Sequence, residues 1–236
     1  MRRAFYALEP GGWRDYVTLL HLPYTAWHLS YVVLGACLGA VASWSRLGLT
    51  LLAFALALGV GAHALDELRG RPLASRIPDG VLVGLAVTSI GAASAIGLVV
   101  ALDFSLWLIA FVAVGAVLVV AYNLELAGLH TDLWFGLAWG GFPVLTAAFA
   151  QTGRVEPEAV LAALAAVLLS LAQRRLSTQA RHVRRRVNRI EGTLELPDGT
   201  REPLDADALV APAEWALRAL TAFTVVLAAA LVVARL

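Results

Sequence analysis

Residues 61–79, with the sequence GAHALDELRGRPLASRIPD, contain the densest group of side chains that could do chemistry. His63, Asp66 and Glu67 are spaced i, i+3 and i+4, so a helix would place them on one face. Two carboxylates and an imidazole on one face suit a hard cation such as Mg²⁺, or proton transfer. Three arginines follow: Arg69, Arg71 and Arg76. With a cation they could hold a diphosphate, whereas the alternative is a salt-bridge cluster that fixes a helix end.

These residues define the predicted site. We expect His63, Asp66 and Glu67 to be catalytic, with both carboxylates as Mg²⁺ ligands. The three arginines are expected to bind the diphosphate, because guanidinium forks match phosphate oxygens.

A second polar group interrupts the apolar sequence at residues 121–143, AYNLELAGLHTDLWFGLAWGGFP. Asn123 is expected to contact the diphosphate, and Asp132 to share in the metal site. Glu125 and His130 are expected to line a cavity between these groups. The alternative for Asp132 is a capping residue, since the same residue type is favoured at helix N-termini.

The segment HLPYTAWHLSYVVLGA places two further candidates, His28 and Tyr31, inside an apolar helix. A histidine at this depth lines a cavity or bonds to a backbone carbonyl of a neighbouring helix. Aromatic side chains along the helix suit an isoprenoid or quinone ring, and they suit ordinary packing equally.

A run of arginines extends over residues 181–189. One hypothesis is an electrostatic anchor to anionic lipid headgroups, worth about 1 kcal/mol per arginine near the surface. The other is closure over an anionic headgroup or diphosphate at the site. The run has no interleaved aromatic residues, so nucleic acid is not an expected partner.

The elements that must position these residues are long apolar helices. The chain is 60% hydrophobic and 15% charged with a mean hydropathy of +0.76, beyond the usual composition of a soluble domain. Crossing the membrane takes about 20 apolar residues. Seven stretches qualify, roughly 20–42, 48–66, 80–102, 104–123, 132–152, 157–175 and 212–235. The sequence therefore predicts one domain over residues 1–236, an all-α polytopic transmembrane helix bundle.

Arginine distribution predicts the orientation of this bundle, because cytoplasmic loops carry the excess of basic residues. One side collects Arg2, Arg3, Arg14, Arg69, Arg71, Arg76, Arg174, Arg175, Arg181, Arg184, Arg185, Arg186, Arg189, Arg201 and Arg218. The other side collects Arg46, Arg154 and Arg235. We therefore expect a cytoplasmic-membrane protein with its N-terminus inside and its C-terminus outside.

The long polar connection, residues 176–211, is predicted to be a basic cytoplasmic segment. Alternating residues on both sides of Pro197-Asp198-Gly199 predict a small β-hairpin within it. Pro212 is expected at the start of the last helix, where its missing N–H causes no loss.

The chain resembles the UbiA-type intramembrane prenyltransferases over roughly residues 15–150. HLPYTAWHLSYVVLGA is similar to the first helix of that family, and HALDELRGRPLASRIPDG to its first aspartate-rich motif. YNLEL and WGGFPVL are similar to the loop after the fourth helix and to the fifth helix. The long loop after the sixth predicted span stands where the family has its second aspartate motif.

This resemblance implies a UbiA-like bundle around a central cavity, with cytoplasmic loops closing a Mg²⁺–diphosphate site. The implied reaction transfers a prenyl chain from its diphosphate to an aromatic or other lipophilic acceptor within the membrane. By position, Asp66 would be the foremost metal ligand, His63 would stand near the Asn of the motif, and Arg71 would match its trailing arginine.

The chain departs from the family pattern in its acidic residues. The first motif usually has an Asn and two Asp four apart, whereas here Asp66 and Glu67 are adjacent. The second motif is replaced by RHVRRRVNRIEGTLEL, in which Glu191 is the first carboxylate. A divergent prenyltransferase could bind diphosphate directly through arginines, or the chain could be a non-catalytic isoprenoid- or lipid-binding membrane protein. A transporter with His63 and Asp66 as a proton relay is the weaker alternative.

Overall fold

The computed structural model describes residues 4–39, 41 and 43–236, and 74% of the chain is helical. The predicted all-α bundle is confirmed in this general form. Arg2, Arg3 and the predicted end of the first span at residue 42 lie outside the described residues. The helices are α1 (Trp13–Leu19), α2 (Leu22–Ala36), α3 (Trp44–Leu68), α4 (Asp79–Asp103), α5 (Leu108–Asn123), α6 (Asp132–Thr152), α7 (Pro157–Arg186) and α8 (Ala206–Val233).

Among the described residues, five helices are long and apolar enough to cross a membrane: α3, α4, α6, α7 and α8. Helix α5 is apolar but shorter, with 16 residues, and α2 has 15. These lengths indicate a helical membrane protein. The count of seven spans and the orientation of the termini stay predictions.

Successive long helices run in opposite directions between two ends of the bundle. The starts of α2 and α6 and the ends of α3, α5 and α7 surround one cavity, and we call this the cavity end. At the opposite end, the Arg235 guanidinium donates to the Cys37 carbonyl at 3.2 Å. The Ser43 backbone N–H donates to Gln151 Oε1 there at 3.0 Å. The arrangement brings polar segments that are distant in sequence to a common end.

Two glycines allow the helices around the cavity to approach closely. A Cβ atom at Gly35 in α2 would overlap the Val144 carbonyl oxygen of α6. A Cβ atom at Gly140 in α6 would lie 2.6 Å from the Ala166 carbonyl oxygen of α7. Where lipid supplies no hydrophobic drive between helices, such close backbone contact provides the packing energy.

Helices α3 and α6 each widen to π-helical turns, at Ala55–Ala62 and Gly136–Gly141. Such insertions occur frequently at functional sites. Pro143 has no N–H to donate to the carbonyl four residues earlier, which belongs to Trp139. His28 Nδ1 lies 2.8 Å from that carbonyl oxygen. Because a carbonyl only accepts, Nδ1 carries the proton and ties α2 to α6.

The polar connection contains an antiparallel hairpin of β1 (Gly192–Glu195) and β2 (Arg201–Leu204), where alternation predicts one. Gly199 has a φ of +85° in its turn, which glycine adopts without strain. Helix α8 begins at Ala206 and not at Pro212, because Asp205 Oδ1 accepts the Ala208 N–H at 2.8 Å and caps it. Pro212 therefore lies within the helix.

Candidate functional site

A cavity of about 800 Å³ opens at the cavity end, lined by both polar and apolar side chains. Its walls come from the N-terminal segment, the start of α2, the end of α3 with its following loop, residues 122–135, and the end of α7. Seven of the predicted site residues line it: His28, His63, Asp66, Arg69, Asn123, Glu125 and His130. The other five do not: Tyr31, Glu67, Arg71, Arg76 and Asp132.

Asp66 is the free carboxylate of the cavity. The lining contains two other carboxylates, and each has a partner. Asp15 accepts the backbone N–H groups of Gly11 and Arg76, at 2.8 and 2.9 Å. Glu125 pairs with Arg69 at 3.3 Å. Within the described chain Asp66 forms no hydrogen bond or salt bridge, so its oxygens are available to a ligand.

His63 lies one helical turn before Asp66 and presents a nitrogen lone pair to the cavity. Its Nδ1 is 3.1 Å from the Gly59 carbonyl oxygen, which requires the proton on Nδ1. In the neutral ring Nε2 is then an acceptor. The His63 ring also stacks on His21, with 4.2 Å between ring centroids. The i, i+3 spacing therefore places both His63 and Asp66 in the cavity wall.

Glu67 is fully buried and holds the loop between α3 and α4 instead of lining the cavity. Its Oε2 accepts the Leu73 N–H and its Oε1 accepts the Ser75 N–H, both at 2.9 Å. Each carboxylate oxygen therefore binds a loop amide. The structure gives Glu67 a positioning role in the loop.

The three predicted arginines separate in the structure. Arg69 lies in the cavity wall beside Glu125. The Arg71 guanidinium donates to the Ile77 carbonyl at 2.6 Å and pairs with Asp79 at the start of α4. Arg76 has an exposed side chain outside the lining. Arg69 is thus the one of the three that can reach a ligand in the cavity.

The loop between α5 and α6 contributes a neutral histidine. His130 Nδ1 lies 3.1 Å from the Tyr122 carbonyl oxygen, and Nε2 lies 3.2 Å from Arg174 Nη2. Because arginine only donates, Nε2 must accept, and His130 is the neutral Nδ1–H tautomer. Asp132 pairs with Arg174 Nε at 3.1 Å. The predicted metal ligand Asp132 is therefore paired with an arginine in the structure.

Asn123 lines the cavity but is anchored locally. It is buried, and its side-chain amide donates to the Val119 carbonyl of its own helix at 2.7 Å. The amide oxygen has no hydrogen bond within the described chain. Asn123 could therefore accept a hydrogen bond from a ligand, whereas one of its donors is already used.

Helix α7 supplies most of the positive charge of the cavity. Five of its arginines are in the lining: Arg174, Arg181, Arg184, Arg185 and Arg186. Arg184 forms a buried salt bridge with Glu214 of α8 at 3.1 Å. Arg181 donates to the Ser177 carbonyl and to Thr178 Oγ1, at 3.3 and 3.1 Å. Spacings of seven and four residues between 174, 181 and 185 place these arginines on one helix face, a signal present in the sequence.

Three buried groups mark the deep part of the site. His28 is 5% exposed and bonded to α6 through the Trp139 carbonyl. Gln173 Oε1 and Tyr122 Oη are buried without a hydrogen-bond partner among the described residues. Unpaired buried polar groups cost about 1–3 kcal/mol each, so a ligand or water that binds them is favoured. Predicted candidate Tyr31 packs instead in the core, where its hydroxyl accepts from Trp27 Nε1 at 2.6 Å.

The N-terminal segment covers part of the cavity mouth. Tyr6 lines the cavity, and its ring packs 5.1 Å from the His21 ring. Burial raises the pKa of Tyr6 to about 12, although the nearby Arg184 guanidinium acts in the opposite direction. The phenol is therefore neutral at physiological pH and can donate a hydrogen bond.

A smaller apolar space of about 110 Å³, which we call the apolar groove, lies between α3, α4, α5 and α6. Leu58 and Trp139 line both this apolar groove and the polar cavity. Both residues belong to the π-helical turns, which bring the two spaces together. The two spaces are therefore adjacent, on either side of Leu58 and Trp139.

The predicted Mg²⁺ site depends on carboxylates that converge. Magnesium is usually held by one or two carboxylates together with water and substrate phosphates. Among residues 4–39, 41 and 43–236, no group of three or more His, Cys, Asp or Glu could hold a metal ion. Glu67 and Asp132 have other partners, and of the three predicted ligands only Asp66 lines the cavity. The donor set does not fit a metal centre that the protein holds by itself.

Comparison with known proteins does not assign the chain to a family. No family model, curated protein or solved structure matches it. Membership of the UbiA superfamily therefore stays a prediction from the motifs of the sequence.

Proposed function

We propose that this chain is a divergent UbiA-like prenyltransferase that takes its prenyl group from an isoprenoid diphosphate within the membrane. The observation that carries the proposal is that a basic cavity and an apolar groove are adjacent and share Leu58 and Trp139 in their linings. The diphosphate would lie among the arginines, and the isoprenoid chain would extend into the groove.

The apolar groove suits a hydrocarbon chain because its hydroxyl groups are already satisfied. Thr50, Ser94 and Thr146 line it, and each donates to the carbonyl four residues earlier in its own helix. Along α5 the groove extends from Val119 to Leu108, a rise of about 16 Å at about 1.5 Å per residue. An isoprene unit spans about 5 Å, since it adds four carbon–carbon bonds of about 1.5 Å. The groove is therefore about as long as three units, and its enclosed space of about 110 Å³ holds only part of such a chain.

In the proposed reaction, the C1–O bond of the prenyl diphosphate breaks and the diphosphate leaves with the electron pair. Guanidinium groups of the cavity stabilise the negative charge that develops on the leaving group. The Asp66 carboxylate stabilises the positive charge on the allylic carbon. A nucleophilic carbon or oxygen of the acceptor forms the new bond, and His63 Nε2 takes the proton that the acceptor loses.

For the topology, we propose seven spans, with α2 and α5 crossing alongside the five longer helices. The cavity end then faces the cytoplasm, because it collects most of the arginines. With this orientation, the soluble diphosphate product would leave into the cytoplasm, and lipid-soluble substrates would enter from the bilayer.

The test is turnover by purified protein in lipid nanodiscs. Geranyl, farnesyl and geranylgeranyl diphosphates are supplied with phenolic and quinol acceptors, with and without Mg²⁺, and diphosphate release is measured. Asp66→Asn should slow release about a hundredfold or more, the usual range for a positioned charged group. Asp103→Asn, at the exposed opposite end of α4, is the matched control and should leave turnover unchanged. Absence of release with every substrate pair would refute the transferase proposal.

A second candidate function is retention of an isoprenoid or anionic lipid without transfer. The observation that favours it is the lack of converging metal ligands in the described part of the chain. Native mass spectrometry distinguishes the two candidates. A co-purifying lipid that is retained intact when acceptors are supplied supports the binding function, and its conversion to a prenylated product supports the transferase.

A further inference from the structure

We infer that the cavity holds the diphosphate of its ligand through arginine side chains alone, without a divalent cation. This inference rests on the proposed function and concerns how the same site binds its ligand. It differs from what the family resemblance implies, in which Mg²⁺ links the protein to the diphosphate.

The first argument is the charge balance of the cavity. Six arginines line it: Arg69, Arg174, Arg181, Arg184, Arg185 and Arg186. Three carboxylates line it: Asp15, Asp66 and Glu125. Asp132 and Glu214, outside the lining, form salt bridges with two of these arginines, so one positive charge is in surplus before any ligand enters. A divalent cation is repelled by that surplus, whereas a diphosphate is attracted.

The second argument is that three of these guanidinium groups are uncompensated. Arg69, Arg174 and Arg184 pair with Glu125, Asp132 and Glu214 respectively. Arg181, Arg185 and Arg186 form no salt bridge within the described ranges. The three free cations follow one another within six residues at the end of α7, so one anionic group can contact several of them.

The third argument is that Arg181 is already held in place. Its Nε and Nη2 donate to Ser177 and Thr178 on its own helix. A guanidinium has five N–H donors in a rigid fork, so three donors of Arg181 are left for phosphate oxygens. Ordering the fork before the ligand arrives lowers the entropic cost of binding.

Finally, two of the three predicted metal ligands, Glu67 and Asp132, are engaged elsewhere. Both oxygens of Glu67 hold loop amides, and Asp132 is paired with Arg174. Asp66 is left as the single carboxylate of the predicted set. It interacts electrostatically with the surrounding arginines, foremost Arg181. In this setting Asp66 opposes the diphosphate instead of binding it through a cation.

The experiment measures equilibrium binding of farnesyl diphosphate to the full chain in nanodiscs of neutral lipid, in EDTA and in Mg²⁺. We expect the same affinity in both buffers. Arg181→Gln should weaken binding about 10- to 100-fold, the range for a lost charge-assisted contact. Arg185→Gln should also weaken it, and this variant tests the inference without a folding risk, because Arg185 is exposed and makes no bond in the described chain. Arg154→Gln, exposed at the opposite end, is the matched control and should bind normally.

The Asp66→Asn variant distinguishes the two binding modes by whether it raises or lowers the affinity for the diphosphate. If arginines alone hold the diphosphate, removing this negative charge tightens binding severalfold. If a cation bridges Asp66 to the diphosphate, the same change weakens binding. Binding that needs Mg²⁺ and is weakened by Asp66→Asn overturns the inference and leaves the proposed function standing. No binding in either buffer overturns the proposed function itself.

Discussion

Replacing Glu67 with glutamine should loosen the loop between α3 and α4 and lower the stability of the protein. Glu67 is fully buried, and its two oxygens accept the N–H groups of Leu73 and Ser75 at 2.9 Å each. Glutamine keeps one acceptor oxygen but turns its NH₂ group towards the other loop amide. One hydrogen bond is lost, and two donors then face each other in a buried site.

The expected loss follows from the strength of that bond. A hydrogen bond to a charged group contributes about 1.5–3 kcal/mol, and a buried donor without a partner costs about as much as the bond was worth. We therefore expect Glu67→Gln to reduce the free energy of unfolding by about 2–3 kcal/mol. For a chain of this size, that corresponds to a decrease in melting temperature of about 4–12 °C.

Thermal unfolding in nanodiscs measures the global effect, and limited trypsin digestion measures the loop itself. Arg69 and Arg76 flank the amides that Glu67 holds, so a loosened loop should be cleaved faster at both residues. Glu125→Gln is the matched control. Glu125 is half exposed and paired with Arg69, and such surface pairs contribute only about 0–1 kcal/mol.

A different outcome would show that Glu67 binds a metal ion instead of holding the loop. If Glu67→Gln leaves the melting temperature and the trypsin sensitivity unchanged but removes a Mg²⁺-dependent activity, Glu67 is a metal ligand, as its sequence spacing predicts. The stability loss and the metal role thus lead to opposite results in the same variant.

Three further perturbations test other parts of the structure. Gln173→Leu should raise the free energy of unfolding by about 1–3 kcal/mol, seen as a higher melting temperature, while weakening ligand binding, because it removes a buried carbonyl without a partner. Gly140→Ala should lower the melting temperature at a cost of about 1–3 kcal/mol, because its Cβ would lie 2.6 Å from the Ala166 carbonyl oxygen. Hydrogen bonds from Thr200 lower the pKa of Asp198, so the turn they close is fully formed above the ordinary carboxyl pKa. It should open as the pH falls through the lowered pKa, which the amide-proton chemical shift of Thr200 would report.

Several features of the fold could be predicted because they depend on local sequence. Apolar runs of about 20 residues predict α4, and alternation around Pro197-Asp198-Gly199 predicts the hairpin. The start of α8 could not be predicted from Pro212, because the capping bond of Asp205 comes earlier and a helix can include a proline. The first predicted span, residues 20–42, is also longer than the helix that forms there, since α2 ends at Ala36.

The site divides in the same way. Helical spacing places His63 and Asp66 in one wall, and that part of the prediction depends only on periodicity. The partner of Glu67 is a loop that bends back six to eight residues later, and the partner of Asp132 is 42 residues away in α7. Residue spacing contains no information on such contacts, because they depend on where the backbone goes after the helix ends.

Arg181 shows why residue type alone does not distinguish an arginine that anchors to lipid headgroups from one that binds a phosphate ligand. Arginines that orient a membrane protein and arginines that bind a phosphate group are the same residues at the same membrane face, so both hypotheses fit the run 181–189 equally well. Pairing distinguishes them. A headgroup anchor needs exposed charges that point outward to lipid, whereas Arg181 lies in a cavity wall, bonded to its own helix and without a carboxylate partner among the described residues. A guanidinium retained in that position is stabilised when an anion enters, and this favours a ligand-binding role for the end of α7.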